Sequence, residues 1–382
     1  MKKGCLLIAA LVLFFCAQAA PATWTPNKRL TWNSGDSKYP AIAVSSSGIL
    51  HLVWHDNSPG NPEIFYRRSI DGGNTWTNIQ RLSWTPAYSS SPAIIVDSSN
   101  RIHVVWHDYP QGDSEICYRS STDGGLTWTA MKRLTWSSGE TDAPAIASDS
   151  FCYLYVVWAD SSPGNLEIYC RKSTDGGNTW QAAKRITWTT GHSFDPAVAV
   201  DASLYLHVTW WSDQPGNPTI YHKMSTNGGT TWTAAQRLSW SSGGSYNPDV
   251  TVDSSSHIQV VWHDYTPGFP EIFQRKSTDA GATLATRKRL SYTSSYSVDP
   301  AIAAGPSGNL YAVWYDTTPG YSEIYYARSI NGGGTWEAEQ RLTWTAYDSE
   351  EPDVVIDPSG FIHVVWYDET PGNPEIYYKR GY

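Results

Sequence analysis

Three features of the sequence predict an all-β ring, a seven-bladed β-propeller of four-stranded antiparallel blades. A 52-residue repeat occurs seven times, each repeat holds four short strand-like runs, and the chain opens on the fourth strand of a repeat whose other three strands come last.

Single positions carry the period. Arg29, Arg81, Arg133, Arg185, Arg237, Arg289 and Arg341 follow one another at 52 residues without an insertion. Three residues after each stands an aromatic: Trp32, Trp84, Trp136, Trp188, Trp240, Tyr292 and Trp344. A second column is Trp54, Trp106, Trp158, Trp210, Trp262, Trp314 and Trp366, and a third is Trp24, Trp76, Trp128, Trp180, Trp232 and Trp336. Of the 20 tryptophans only Trp211 stands outside these columns.

Inside the first repeat, alternation and turn formers mark strands at residues 41–44, 49–54, 63–68 and 76–82. Ser46-Ser47-Gly48, the segment from Asn57 to Pro62 and Asp71-Gly72-Gly73-Asn74 separate them. Thr23-Trp24 copies Thr75-Trp76, so the N-terminal segment is expected to pair with residues 375–380 and close the ring, removing two open sheet edges. The blades are expected at about 38–86, 90–138, 142–190, 194–242, 246–294, 298–346, and 350–382 completed by 21–34.

Composition narrows the class. Charged residues are 16% of the chain, against roughly 25% in an average globular protein, and the aromatic share is 14%. A helical bundle is disfavoured, and a net charge of -9 argues against nucleic acid as a partner. Lys2 and Lys3, an apolar run over 5–16 and Ala17-Gln18-Ala19 form the pattern of a cleaved signal peptide over residues 1–19, which implies a secreted or periplasmic protein. No later stretch is apolar enough to span a membrane as a helix. Cys117, Cys152 and Cys170 then remain, an odd number that gives no disulfide framework. A monomer without metal or cofactor is expected.

The turn after the third strand carries a family resemblance. Ser69-Ile70-Asp71-Gly72-Gly73-Asn74-Thr75-Trp76 resembles the Asp-box, S-x-D-x-G-x-T-W, of the sialidase-like or BNR-repeat propellers. Copies recur around Asp123 and Asp175, with Asn at Asn227 and Asn331 and a worn copy at Asp279. The resemblance implies a structural hairpin away from the active face. The residues suggest the same role: the carboxylate can accept backbone N–H groups across the turn, and glycine supplies positive φ. A calcium site would need about six to eight oxygens, and one carboxylate per turn is too few.

Function is therefore expected on the opposite face, where the loop between second and third strands carries acid at both ends. Candidate ligand-binding residues are His55 and Asp56, His107 and Asp108, His263 and Asp264, Tyr315 and Asp316, and Tyr367 and Asp368, joined by Trp211 where repeat four departs from the pattern. An exposed Trp211 could stack on a sugar ring, or it could pack on the next blade. Asp160 belongs to the same acidic column. The second acidic column, Glu63, Glu115, Glu167, Glu271, Glu323 and Glu375, falls within cross-strand reach of the repeated arginines and is expected to pair with them. Thr219 leaves Arg237 without that partner. Arg67, Arg119, Arg171 and Arg275, interrupted by Lys223, Ala327 and Lys379, read as a solvated strand face. His51 with His55, or His103 with His107, has a zinc-like spacing, but four strand residues span about 13 Å, too far for one metal.

Sialidases resembling this pattern use three arginines, a Tyr–Glu nucleophile pair and an Asp acid in a six-bladed ring, introduced by an R-I-P sequence. This chain has seven repeats and no Arg followed by Ile-Pro. Catalytic residues are thus not assigned. The leading expectation is an exported, non-catalytic propeller that binds a glycan or cell-surface polymer through repeated pockets, a plan similar to that of bacterial fucose-binding propeller lectins. A sialidase-type glycoside hydrolase and a protein-interaction scaffold are the alternatives.

Overall fold

The computed structural model describes residues 22–382 apart from Pro215, Pro267 and the side chains of Pro110 and Gln111; the expected signal peptide, 1–19, lies outside them. The strands fall into seven four-stranded antiparallel sheets. In the first complete blade β2 (Ser37–Val44) lies innermost, followed by β3 (Leu50–Asp56), β4 (Glu63–Ser69) and β5 (Gln80–Arg81). The ring closes as the sequence predicts. β1 (Lys28–Arg29) pairs with the last strand, Glu375–Gly381, through Lys28↔Tyr378 and Arg29↔Tyr377, and Thr23 and Tyr382 exchange backbone hydrogen bonds of 2.9 and 3.1 Å.

Two strand expectations need correction. The outer strand is short: only Gln80 and Arg81 continue the ladder, against Tyr66 and Phe65, because the Thr77 N–H bonds to Arg68 O and slips the pairing by one residue. The inner strand is longer, starting at Ser37 and interrupted between Lys38 and Ala41 by a bulge at Tyr39-Pro40. Pro40 has no N–H to give the ladder, so the strand must bulge there rather than pair continuously.

Packing runs between blades. The second tryptophan column is 0–1% exposed in every blade, and Trp106 packs with Val53, Ile64 and Leu82 of the preceding blade. At about 150–250 Å² and roughly 25 cal/mol/Å², each such indole contributes on the order of 4–6 kcal/mol as an upper bound. The third column ties neighbours by edge contacts, Trp128 on Tyr66 at 4.9 Å and Trp76 on Tyr378 at 5.4 Å across the closure.

The turns on one face hold themselves. Asp71 Oδ1 accepts from Ser69 Oγ and Thr75 N, both at 2.8 Å, and Oδ2 from Thr75 Oγ1 at 2.6 Å, while Gly73 N donates to Ser69 Oγ at 2.8 Å. Gly72 and Gly73 have φ of 65° and 87°, which glycine adopts at little cost. Thr127, Thr179 and Thr283 donate in the same way to Asp123, Asp175 and Asp279. Asn227 and Asn331 keep the Oδ1 acceptor and donate their amide to Thr231 and Thr335 Oγ1, both at 2.8 Å. These hydrogen bonds hold the Asp71 carboxyl down at about 2.

On the other face each acidic residue that begins a third strand meets its arginine. Arg81–Glu63, Arg185–Glu167, Arg341–Glu323 and Arg29–Glu375 lie at 2.7, 2.8, 2.6 and 2.8 Å, and Arg133–Glu115 and Arg289–Glu271 are also paired. Glu63 further accepts from Thr85 N at 2.9 Å and from Ser83 Oγ, so this buried carboxylate ties the outer strand to the link into the next blade. In repeat four Arg237 Nη2 meets Thr219 Oγ1, at 3.4 Å, where the other repeats have glutamate.

The Arg67 column is not a solvated face. Arg67 is 8% exposed and donates to the Leu30 carbonyl of the neighbouring blade; Arg119, Lys223 and Lys379 reach Leu82, Ile186 and Leu342 O at 2.9, 2.7 and 2.5 Å. That carbonyl lies where the short outer strand has left the ladder, and the cation supplies its donor.

A chain starting at residue 31 is expected to expose the edge of the last strand, to elute as aggregate in size-exclusion chromatography and to lose its cooperative thermal transition; monomeric, cooperatively melting material would contradict closure. Glu63→Ala should cost about 1–3 kcal/mol in denaturant unfolding, and Glu63→Thr, which copies Thr219, should cost less.

Candidate functional site

The inner strands converge on the ring axis, where their bulges form one cavity of about 360 Å³ lined by seven X-Pro pairs, from Tyr39-Pro40 to Glu351-Pro352. The residue before each proline has positive φ, 45° to 53°, whether it is Tyr39, Ser91, Ala143, Asp195, Asn247, Asp299 or Glu351. Such backbone is costly for any residue but glycine, about 1–3 kcal/mol, and the ladders on either side of the bulge hold it. Three of these seven residues are acids. They were missed from the sequence because the strand was expected to begin after them.

Around this cavity stand the aromatic members of the candidate set. His55 bonds to Ser90 Oγ through Nδ1 at 2.5 Å and packs on Tyr39 and Tyr88. His107 Nδ1 lies 2.8 Å from Asp142 Oδ1. Trp211 is half-buried, stacked on Phe194 at 4.1 Å and edge-on to Tyr246 of the next blade at 5.0 Å, and its Nε1 donates to Asp195 Oδ2 at 2.8 Å. His263 stacks on Tyr246, Tyr315 lies beside Asp299, and Tyr367 donates to Glu350 under the ammonium of Lys38, 4.8 Å from the ring. Every aromatic candidate therefore meets the inner strand of its own blade or the next.

Their acidic companions do not share that surface. Asp56, Asp108, Asp160, Asp264, Asp316 and Asp368 are 0–5% exposed. Asp56 accepts from Ser37 Oγ at 2.6 Å and Ser58 N at 2.8 Å, and Asp108 from Ser89 Oγ at 2.9 Å and the Trp106 indole at 3.0 Å. These carboxylates bind their own loops and inner strands. The structure thus divides each candidate pair, with the aromatic toward the axis and the acid beneath it. His51 and His103 lie in the blade interior and bond to Tyr66 and Tyr118 hydroxyls at 2.8 Å.

The axial acids are electrostatically unusual. Burial pushes Glu351 up to about 8, although it accepts the Tyr39 N–H at 3.1 Å. Burial raises Asp299 to about 6, with Asp195 and Glu350 adding repulsion, and raises Asp195 against the pull of the Trp211 indole. Burial lowers His55 and His263 to about 4, so both are neutral at neutral pH. Lys38 is the basic residue at this mouth, and none of the residues lining the cavity is arginine.

The folded protein binds the Glu351 and Asp299 protons more tightly than the unfolded chain, so stability falls as pH rises from about 4.5 toward about 8. Glu351→Gln removes part of that loss. Its melting temperature should drop less than that of the parent between pH about 5 and about 8, followed by circular dichroism, and parallel curves would refute the assignment.

Comparison with known proteins agrees with this architecture. No family model matches the chain. A sialidase of Micromonospora viridifaciens is 26% identical over 188 residues, covering 39% of this chain and 29% of that protein, so the chain matches less than a third of its length. Among solved structures, a PL25 ulvan lyase superposes with TM-score 0.63 at 9% identity, covering 92% of this chain and 95% of that one. The Penicillium chrysogenum α-L-arabinanase in complex with arabinobiose superposes with TM-score 0.55 at 16% identity, covering 77% and 94%. The chain is a seven-bladed propeller, and solved sialidases share its propeller fold.

Proposed function

We propose that this protein is a carbohydrate-binding propeller that takes a neutral glycan into the axial funnel. The observation that carries the reading is the asymmetry of that funnel. The frame repeats seven times, yet the residues facing the axis differ from blade to blade and bring Tyr39 and three carboxylates into one site, with half-buried Trp211 hydrogen-bonded to Asp195 behind them. The cavity of about 360 Å³ lies within the roughly 300–1,000 Å³ typical of small-ligand sites. Half-buried aromatic faces suit the apolar side of a pyranose or furanose, and the carboxylates and hydroxyls around them suit its hydroxyls. The arabinanase and lyase that share the fold act on sugars by name, which supports the class of ligand.

Charge selects within that class. A sialic acid or uronate would bring its carboxylate toward Asp195, Asp299 and Glu350 with Lys38 to oppose them, so a sialoside is a poor fit. The repeated turns around Asp71 read as Asp-boxes, structural hairpins on the far face. The leader-like residues 1–19 support export to the periplasm or medium, where such polymers are met.

One observation favours a second reading, a glycoside hydrolase acting on a neutral sugar. Asp299 at about 6 and Glu351 at about 8 are neighbouring acids whose environments separate their proton affinities, as an acid–base pair requires.

A glycan array followed by calorimetry tests both. Binding of a neutral glycan, weakened at least about tenfold by Trp211→Ala, is expected, with sialylated probes blank. Turnover of neutral nitrophenyl glycosides, lost in both Asp299→Asn and Glu351→Gln, would establish the hydrolase in place of the binder. A blank array together with no turnover would overturn both readings.

A further inference from the structure

The funnel does not account for the first aromatic column. Its members, Trp32, Trp84, Trp136, Trp188, Trp240 and Trp344 with Tyr292, are 55–69% exposed, the reverse of the buried second column. They follow the outer strands, at the junctions between blades and away from the axis. Large exposed indoles are costly to solubility, and a folded chain carries few without a use for them. Other exposed positions of the same repeat drift freely: Ile79 is matched by Met131, Ala183, Ala235, Arg287 and Glu339. The aromatic column stays aromatic in all seven repeats.

The surroundings of each ring are equally regular. The arginine three residues earlier lies 5.6–5.8 Å from each indole and 4.7 Å from Tyr292. In the first complete blade Arg81 Nε donates to Ser83 O at 2.7 Å and Nη2 to Glu63, and the same two bonds recur in every repeat, with Thr219 standing in for the glutamate beside Arg237. Among the described residues, Nη1 of each of these arginines has no protein partner. A cation from the next blade approaches five of the indoles, as Arg119 does Trp84 at 5.2 Å.

We propose that these seven inter-blade positions are a second ligand surface, a rim of aromatic platforms each of which stacks one sugar ring of a neutral polysaccharide. The exposed ring takes the C–H face of the sugar, and the unspent Nη1–H beside it donates to a hydroxyl. The ligand is neutral because in six repeats a buried glutamate balances the nearer arginine, which leaves at most the one cation of the next blade at a platform, while the chain as a whole carries a net charge of -9 that repels a polyanion. At Tyr292, where the smaller ring replaces indole and Ala327 replaces the opposing cation, the junction opens into a groove of about 690 Å³ floored by Arg289 and Glu339. Each platform alone is weak. Seven on one rigid ring would raise avidity on a repeating polymer by roughly 10²–10⁴.

This surface is distinct from the funnel and can be tested apart from it. Native affinity electrophoresis is run in gels containing galactomannan, xyloglucan, arabinoxylan, dextran or, as the anionic control, polygalacturonate. The expected result is retardation by at least one neutral polymer, reduced a few-fold by Trp84→Ala alone and roughly 10–100-fold by Trp84→Ala/Trp136→Ala/Trp188→Ala. Trp→Tyr at the same three positions, the change already present at Tyr292, should retain most of it. Thermal melting of the triple alanine variant should match the parent, since these indoles are exposed. Retardation that survives the triple variant, retardation that disappears with Trp211→Ala, retardation confined to polygalacturonate, or no retardation in any gel would each overturn the proposal.

Discussion

The structure depends on burial between blades rather than within them. A single four-stranded sheet of this size, with a two-residue outer strand, has too little apolar surface of its own to be stable. Each blade instead lends one face to its neighbour, with Trp106 set among Val53, Ile64 and Leu82 of the blade before it. That arrangement is satisfied only when every blade has two neighbours, and a linear array would leave two faces wet. Closure is therefore a condition of the whole core, and the nine backbone positions from Ala22 to Leu30 carry an energetic weight out of proportion to their number.

Polar groups follow the same rule. The loop-rich face would be expensive without Glu63 and its equivalents, because the outer strand leaves the ladder there and strands backbone donors and acceptors that water reaches poorly. One carboxylate gathers an arginine, a hydroxyl and an amide. The basic residue of the next blade then reaches over to the free carbonyl, as Arg119 does to Leu82. Repeat four departs at both ends of the scheme, with Thr219 for glutamate and Lys223 for arginine, and keeps the fold because a hydroxyl and an ammonium satisfy part of the same geometry.

Most of this frame was legible in the sequence, since period, turn chemistry and cross-strand offset are local facts. The Glu–Arg pairs followed from hairpin register alone. What stayed hidden needed a neighbour. Arg67 reads as solvated because its acceptor, Leu30 O, lies 37 residues away in another blade. The aromatic–acid pairs look like one surface in sequence, but adjacent strand residues point to opposite sides, and the acid went beneath while the aromatic went to the axis. The axial carboxylates escaped because a bulge, unlike a regular strand, has no period-two pattern to betray it.

The bulge also explains how one ring can be both repetitive and selective. All seven X-Pro sites hold φ near 50° irrespective of side chain, from Ala143 to Glu351, so the backbone there is set by the ladders on either side and not by the residue itself. Strain of about 1–3 kcal/mol per site is then a fixed cost that the frame absorbs once. A side chain at X can be exchanged without moving the strand. Tyr39, Asp195, Asp299 and Glu351 occupy equivalent backbone, differ in charge and proton affinity, and meet in one cavity. The repeat supplies seven equivalent mounts, and the chemistry of the site is decided by which of them carry an acid.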